Sequence, residues 1–446
     1  MAHQDTICAL ASGAPPSAIA VIRISGPAVK DIMETRMEPC RLSARHMTRA
    51  RLWGPEGAII DDGLAAWFPG PASYTGEDLL ELYLHGGRAV VEDAMDSLLS
   101  VGGVRLAEPG EFTRRAFEAG KLDLTQAEGI ADLIDAETRA QREQAYRQLS
   151  GHLSGKFSEW RRILLEALAL VEVAVDFPDE EEAPDYAHGD VRQRIGHLHT
   201  ELTRALDDGA LGEKVRDGFR IAIIGAPNAG KSSLLNRLAG RDAAIVTDRP
   251  GTTRDIVEVR LDLGGHLVWL QDTAGLRESD DVIEAEGIRR ARAAAESADL
   301  RLFVRDGMRP AADAASPEAV APRPGDLVVS NKADLVPSSD VSRETLRVSA
   351  LTGEGMDTLV ERLTALIPDR IADQPPPLIT RRRHRERLRE AREHLAEAGV
   401  ILEREGLAEL AAEEIRLAIR ALSQLLGSIG VEEVLGEVFS RFCIGK

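Results

Sequence analysis

One segment constrains the fold more than any other. Phe219-Arg220-Ile221-Ala222-Ile223-Ile224 is a short apolar run of strand type, and it feeds directly into Gly225-Ala226-Pro227-Asn228-Ala229-Gly230-Lys231-Ser232. That loop has the form GxxxxGK[ST]. It follows a strand and opens a helix, which is the context the motif requires. The glycines let backbone N–H groups turn inward around phosphate oxygens, Lys231 adds charge at the outer phosphates, and Ser232 offers a hydroxyl to Mg²⁺. The nucleotide-binding stretch is expected to run from Asn228 and Ala229 through Gly230, Lys231 and Ser232 to Ser233.

Three further elements follow in the order such a domain needs. Asp272-Thr273-Ala274-Gly275 comes after the strand Leu267-Val268-Trp269-Leu270. Asp272 would orient magnesium through water, and the Gly275 N–H would sense a γ-phosphate. Asn331-Lys332-Ala333-Asp334 follows the strand Leu327-Val328-Val329-Ser330. The Asp334 carboxylate can accept from both N1–H and the exocyclic amine of guanine, a pair of donors adenine lacks, so the base selected is guanine. Ser349-Ala350-Leu351 sits after Val348, where a backbone N–H would meet the guanine carbonyl. Between loop and switch, Thr247-Asp248-Arg249-Pro250-Gly251-Thr252-Thr253 is expected along the nucleotide, with Thr253 as a second Mg²⁺ ligand. The ordered set predicts a GTPase. One position departs from the Ras-like pattern: the residue after Gly275 is Leu276, which cannot hold an attacking water. Glu284, in the acidic stretch 278–286, is a candidate for that task. From the residues alone the plainer reading, a solvated carboxylate at a helix start, prevails.

The rest of the chain frames this domain. Residues 1–121 have mixed texture: Ile19-Ala20-Val21-Ile22-Arg23-Ile24 and Asp78-Leu79-Leu80-Glu81-Leu82-Tyr83-Leu84 read as strands, and Val90 to Leu99 as a helix. From 122 the chain turns helical. Leu122, Ala127, Ile130, Leu133 and Ile134 fit one helix face; further helices are expected over 153–175 and 191–211. After Pro375-Pro376-Pro377 helical spacing returns, with Ile415, Ala418, Ile419, Leu422, Leu425 and Leu426 on one stripe. The economical architecture is an α+β domain (1–121), an all-α domain in two pieces (122–215 and 372–446), and an α/β P-loop domain (216–371) inserted between them. Net charge is −19, from 55 basic and 74 acidic residues, which argues against gripping nucleic acid by bulk attraction. Three scattered cysteines, Cys8, Cys40 and Cys443, fit neither a disulfide framework nor a zinc site and suit a reducing cytoplasm. No apolar run is long enough to span a membrane, and the N-terminus lacks the pattern of a signal peptide.

These residues, with the tail Phe442-Cys443-Ile444-Gly445-Lys446, resemble the family of tRNA modification GTPases called MnmE or TrmE. The resemblance covers essentially the whole chain, and its most specific segments are Ser73 to Asp78, Glu108 to Phe117, Lys121 to Leu124, Asp272 to Arg277 and the tail. It implies a folate-binding and dimerising N-terminal domain, a discontinuous helical domain and an inserted G domain. It implies a homodimer that joins the flavoprotein MnmG, which carries FAD, in a heterotetramer. Together they modify carbon five of the wobble uridine of certain tRNAs. An aminomethyl or carboxymethylaminomethyl group is installed, with the one-carbon unit from 5,10-methylene- or 5-formyl-tetrahydrofolate.

The resemblance also implies K⁺-dependent pairing of G domains, with K⁺ held by Asn228 and by carbonyls at Thr247, Arg249 and Thr252, and it places the water-positioning glutamate at Glu284. Arg249-Pro250 departs from the small or aliphatic residues expected there, a change that backbone ligation tolerates. Folate contacts are implied at Arg23, Glu81, Lys121 and Lys446. Arg381 to Arg389 is the densest basic run, and two readings of it stand side by side: a helical face paired to Glu390 and Glu393, or a local tRNA contact. Two rival functions remain compatible with the same motifs, a ribosome-assembly GTPase and a non-catalytic, nucleotide-gated scaffold.

Overall fold

The computed structural model describes residues 5–176, 184–226, 228–241, 244–245, 258–272, 293–308, 323–336, 345–367, 379–404, 407–427, 432–440, 442 and 444–445. In chain order the strands are β1 (Thr6–Leu10), β2 (Ser17–Ser25), β3 (Met37–Glu38), β4 (Thr48–Trp53), β5 (Ile59–Phe68), β6 (Leu79–Gly86), β7 (Val104–Leu106), β8 (Phe219–Ile224), β9 (Glu258–Leu263), β10 (His266–Asp272), β11 (Leu300–Asp306), β12 (Leu327–Asn331) and β13 (Leu346–Arg347). The principal helices are α1 (Val29–Arg36), α2 (Arg88–Leu99), α3 (Glu111–Glu118), α4 (Leu124–Asp135), α5 (Arg139–Leu149), α6 (His152–Asp176), α7 (Pro184–Asp217), α8 (Lys231–Ala239), α9 (Met356–Leu366), α10 (Arg382–Ile401), α11 (Ala408–Leu426) and α12 (Glu432–Ser440). The chain forms two compact units, one of Met1–Ala131, Arg147–Gly196 and Glu393–Lys446, the other of Asp132–Tyr146 and His197–Arg392.

The first unit is built on a seven-stranded sheet of order β3-β4-β5-β6-β2-β1-β7, antiparallel except for the β1–β7 pair. Side chains alternate along each strand, so the sheet has two different faces. Cys8, Ile22, Ile24, Leu80 and Leu82 face one side and close a core with Ile32 and Met33 of α1 and Ala94 and Leu98 of α2. The opposite face carries Ile7 and Ala9, packed with Phe112 of α3, and the polar residues Arg23 and Glu81, which are direct partners in the β2–β6 register. The expected strand over 19–24 is there, but Ile19 is exposed, because alternation places it on the face of Val21 and Arg23 and not on that of Ala20, Ile22 and Ile24.

Behind α3 lies a buried ionic cluster. The Arg115 side chain is fully buried and donates to Asp5 Oδ1 at 3.0 Å and Glu77 Oε2 at 3.0 Å, with Glu111 Oε1 at 3.4 Å. Burial alone would raise the Glu111 carboxyl. Its bonds to Arg105 and the Glu108 amide, with the charges of Arg105 and Arg115, more than reverse that and hold it below the usual carboxylate range.

Helical parts complete this unit. Leu124 and Ala127 of α4 pack with Val438, Phe439 and Phe442. Here the helix face expected from Leu122 to Ile134 is corrected: Leu122 precedes α4, and Ile134 is 40% exposed. The α11 stripe matches its spacing, with Ile415, Ala418, Leu422 and Leu425 fully buried.

The second unit holds a six-stranded sheet of order β13-β12-β11-β8-β10-β9. All pairs are parallel except β9–β10. Its inner strands β8, β10 and β11 are buried over most of their length, as strands of parallel sheets are, whereas the edge strand β9 is partly exposed. The core joins Ile221, Ile223, Val268, Leu270, Leu302 and Val304 to Leu234 and Leu238 of α8 and Leu359 and Leu363 of α9.

Candidate functional site

The loop between β8 and α8 is shaped by its glycines. A Cβ on Gly225 would fall on the Val304 carbonyl oxygen, and one on Gly230, at φ +89°, would fall on the Asn331 side chain. Asn228 also holds a positive φ of 65°. The loop therefore curls tightly ahead of the α8 N-terminus, where unpaired N–H groups and the helix dipole favour an anion. Lys231, 6% exposed, donates to the carbonyl oxygens of Gly225 at 2.7 Å and Ala226 at 3.0 Å. Its ammonium thus lies within the cradle, held by acceptors weaker than a phosphate oxygen. Ser232 Oγ donates to Asp272 Oδ2 at 2.7 Å. A hydroxyl and a carboxylate so placed are hard oxygen donors of the type Mg²⁺ takes beside a phosphate.

Asn331, last residue of β12, ties three loops together. Its Nδ2 donates to the Ala229 carbonyl at 2.9 Å and its Oδ1 accepts from the Ala350 amide at 3.1 Å. Ser349 Oγ donates to Asp334 Oδ1 at 2.5 Å, and Lys332 Nζ pairs with Asp306 Oδ2 at 2.7 Å. Asp334 and Leu351 are exposed, at the open side of the site. The structure therefore brings Asn228, Ala229, Gly230, Lys231, Ser232 and Asp272 together with Asn331, Lys332, Ala333, Asp334, Ser349 and Ala350. Ser233 is exposed on the first turn of α8. Thr247 to Thr253, Thr273 to Gly275 and Glu284 lie outside the described residues, as do Cys443 and Lys446.

A second polar site occupies the α3 face of the seven-stranded sheet. Arg23 Nε donates to Glu81 Oε1 at 2.9 Å, and Tyr83 Oη donates to Glu81 Oε2 at 2.7 Å. The Arg23 guanidinium lies 5.6 Å from the Tyr74 ring centre and 5.7 Å from that of Phe112, within cation–π range. Its Nη1 donates to the Gly445 carbonyl at 3.4 Å, so the C-terminal tail reaches a residue near the start of the chain. The tail is seated by glycines. Gly445, at φ +98°, lies against the Leu10 carbonyl, and Gly110, at φ +69°, lies beneath Phe439 and Phe442. Burial and the bond to Glu81 push the Tyr83 phenol up to about 12, so it stays a donor at neutral pH. Lys121 is placed differently: its ammonium donates to the Pro71 carbonyl.

The family model described as the GTP-binding protein TrmE N-terminus matches residues 6–121, and that of the MnmE helical domain matches residues 124–443. The tRNA modification GTPase MnmE of Hyphomonas neptunium is 53% identical over 446 residues, covering 100% of both chains. The chain belongs to the MnmE family. Proteins of the same name from Caulobacter vibrioides and Parvibaculum lavamentivorans are 52% and 49% identical, each covering 99% of this chain and 100% of their own. The G domain of the T. maritima FeoB iron transporter is 22% identical over 33% of this chain and 98% of its own, at a TM-score of 0.22, and adds nothing to the assignment.

For this MnmE family member, the basic run at the start of α10 is largely committed to ion pairs. Arg381 pairs with Asp132 at 2.7 Å, Arg382 with Glu386 at 2.6 Å, Arg385 with Glu213 at 3.1 Å and Arg387 with Glu390 at 2.6 Å. Of the two readings of this run, the geometry of these four arginines is that of a paired helical face.

Sequence reasoning missed Tyr74, Tyr83 and Phe112. Tyr83 had a signal: it lies two residues from Glu81, hence on the same strand face. Tyr74 and Phe112 had none, since only packing brings them over Arg23. Among the described residues no helix is long and apolar enough to cross a membrane, and no cluster of His, Cys, Asp and Glu could hold a metal by itself.

Proposed function

We propose that this GTP hydrolase acts, with the flavoprotein MnmG, at carbon five of the wobble uridine of certain tRNAs. The reading rests on full-length similarity to MnmE proteins. The observation that carries it further is the Arg23–Glu81–Tyr83 cluster closed by the tail at Gly445. A paired carboxylate and guanidinium between two aromatic rings suits a flat, hydrogen-bonding heterocycle such as the pterin of 5,10-methylene- or 5-formyl-tetrahydrofolate. Lys446 follows Gly445 directly in sequence, and Lys121 supplies a second cation for the same ligand. On this reading residues 1–121 bind folate and dimerise, 216–371 form the G domain, and 122–215 with 372–446 form the helical frame.

At the nucleotide, Lys231 exchanges the Gly225 and Ala226 carbonyls for phosphate oxygens, a stronger, charge-assisted bond. Ser232 and Thr253 would hold Mg²⁺, with Asp272 orienting its water shell, and the ion would supply charge neutralisation at the phosphates. Asp334 selects guanine. Glu284 positions water in place of the missing glutamine, and Asn228 with the carbonyls of Thr247, Arg249 and Thr252 would hold K⁺, which would supply positive charge at the phosphates of a cytoplasmic homodimer. Folate on this chain would supply the one-carbon unit, and FAD on the partner would supply redox chemistry.

Nucleoside mass spectrometry of tRNA from cells lacking the protein tests the central claim: wobble uridine should lose its carbon-five group, and an unchanged profile would refute it. GTP turnover that is the same in K⁺ and in Na⁺ would refute the potassium role.

A further inference from the structure

The turn between α4 and α5 is bound to the G-domain sheet at several points. Thr138 and Gln141 form a capping box: Gln141 Oε1 accepts from the Glu137 amide at 3.0 Å and the Thr138 amide at 3.1 Å. The same Gln141 donates through Nε2 to the Arg216 carbonyl at 2.8 Å. Asp132 Oδ1, on the last turn of α4, accepts from Arg216 at 2.9 Å and Arg381 at 2.7 Å. Arg216 is where the chain enters the six-stranded sheet, and Arg381 is just ahead of α10, after it leaves. One carboxylate thus holds both crossings.

The corner also grips the β9–β10 hairpin. The Ala140 amide donates to the Gly265 carbonyl at the hairpin turn at 3.0 Å. Glu137 Oε1 accepts from Arg260 at 2.6 Å, and the Arg260 guanidinium stacks 4.3 Å from the ring centre of Trp269, its cross-strand partner. Trp269 in turn donates to the Asp217 carbonyl at 2.8 Å. The far ends of this hairpin belong to the nucleotide site. β10 ends on Asp272, which is bonded to Ser232, and β9 starts three residues after Asp255 of the Gly251–Asp255 segment. A cation bound to the Ser232 hydroxyl would compete with the Asp272 bond, so cation binding would act directly on the residue that ends β10. The hairpin is paired in register from Glu258–Gln271 to Leu263–His266, so displacement at one end is carried to the other.

We infer that the α4–α5 corner reads the nucleotide state through the β9–β10 hairpin, with Arg260 and Glu137 as the coupling pair. This rests on the GTP-site reading.

Hydrogen exchange on the full chain, with Mg²⁺ and K⁺ and either GDP or guanosine imidotriphosphate, tests it. Amides of 132–141 should differ in exchange by about threefold or more between the two states. Arg260→Ala and Glu137→Gln should each abolish that difference while leaving the difference at 228–232 intact, and Arg260→Lys, which keeps the charge and the ring contact, should retain it. Glu137→Gln changes no volume, so it reports even if Arg260→Ala folds poorly. Equal exchange at 132–141 in the wild type, beside a clear difference at 228–232, would overturn the inference; so would persistence of the corner difference in Glu137→Gln. No difference at either place would overturn the nucleotide site itself, and this inference with it.

Discussion

Arg115→Met removes a charge while keeping most of the volume. The guanidinium is the cation shared by Asp5, Glu77 and Glu111, and Arg115 and Glu111 side chains are 0% and 1% exposed. Removing one partner of a buried ionic cluster costs about 3–5 kcal/mol, because it strands the opposite charges. Here two of the three retain support. Asp5 keeps Arg105 at 2.7 Å, and Glu111 keeps Arg105 Nη1 at 2.9 Å, whereas Glu77 is left with the Ser25 hydroxyl at 2.9 Å. The cost should therefore lie at the low end, about 3 kcal/mol at pH 7, or on the order of 10 °C in the melting of the unit that holds this sheet.

The sign of the pH dependence is fixed by the carboxyls. Burial raises Asp5 and Glu111, but Arg105 and Arg115 outweigh it and hold both below the usual range. A depressed carboxyl stabilises the fold above its unfolded value near pH ~4 and loses that contribution as pH falls through its folded value. Wild type and variant should thus converge as pH drops below ~4. Urea denaturation followed by exchange of β1 and β2 amides, at pH 7 and near pH 3.5, measures both. A loss under ~1 kcal/mol at pH 7, or a gap that does not narrow in acid, would refute the reasoning.

Asp334→Asn should weaken GTP by about 10²- to 10⁴-fold, since two hydrogen bonds to a charged acceptor are worth ~1.5–3 kcal/mol each. It should favour xanthosine triphosphate, whose C2 carbonyl oxygen accepts from the new amide; competitive titration with a fluorescent nucleotide reads both. Gly110→Ala puts a Cβ 2.7 Å from the Phe439 carbonyl oxygen at φ +69°. It should cost about 2 kcal/mol or more and unseat the tail, seen as faster proteolysis near the C-terminus. Tyr83→Phe should lower affinity for 5-formyltetrahydrofolate several-fold by freeing one Glu81 oxygen, about 1 kcal/mol. Calorimetric titration checks this, and unchanged binding would place the folate elsewhere.

Much of the nucleotide site is legible in the chain because each of its parts is local. A tightly curled loop needs Gly225 and Gly230 where they stand, and Asp334 comes just after the strand that ends at Asn331. The same locality made the parallel strands and the α11 stripe readable. What failed was local detail with a tertiary cause. Ile134 fits the helical period of its neighbours yet is exposed. For the arginines from Arg381 to Arg387 the sequence left two readings open, and only the structure shows which carboxylates four of them meet.

By itself, then, the sequence determined a P-loop motif in its strand–loop–helix context and an α/β domain of GTPase type beside helical and α+β parts. Motif spacing and hydrophobic period act over a few residues and survive in one dimension. Only the tertiary structure decided which distant groups meet. Register across β2 and β6 sets Arg23 against Glu81, a glycine turn brings Gly445 to Arg23, and Asp132 gathers Arg216 and Arg381. Such pairings depend on how sheets and helices stack, and no residue near either partner encodes them.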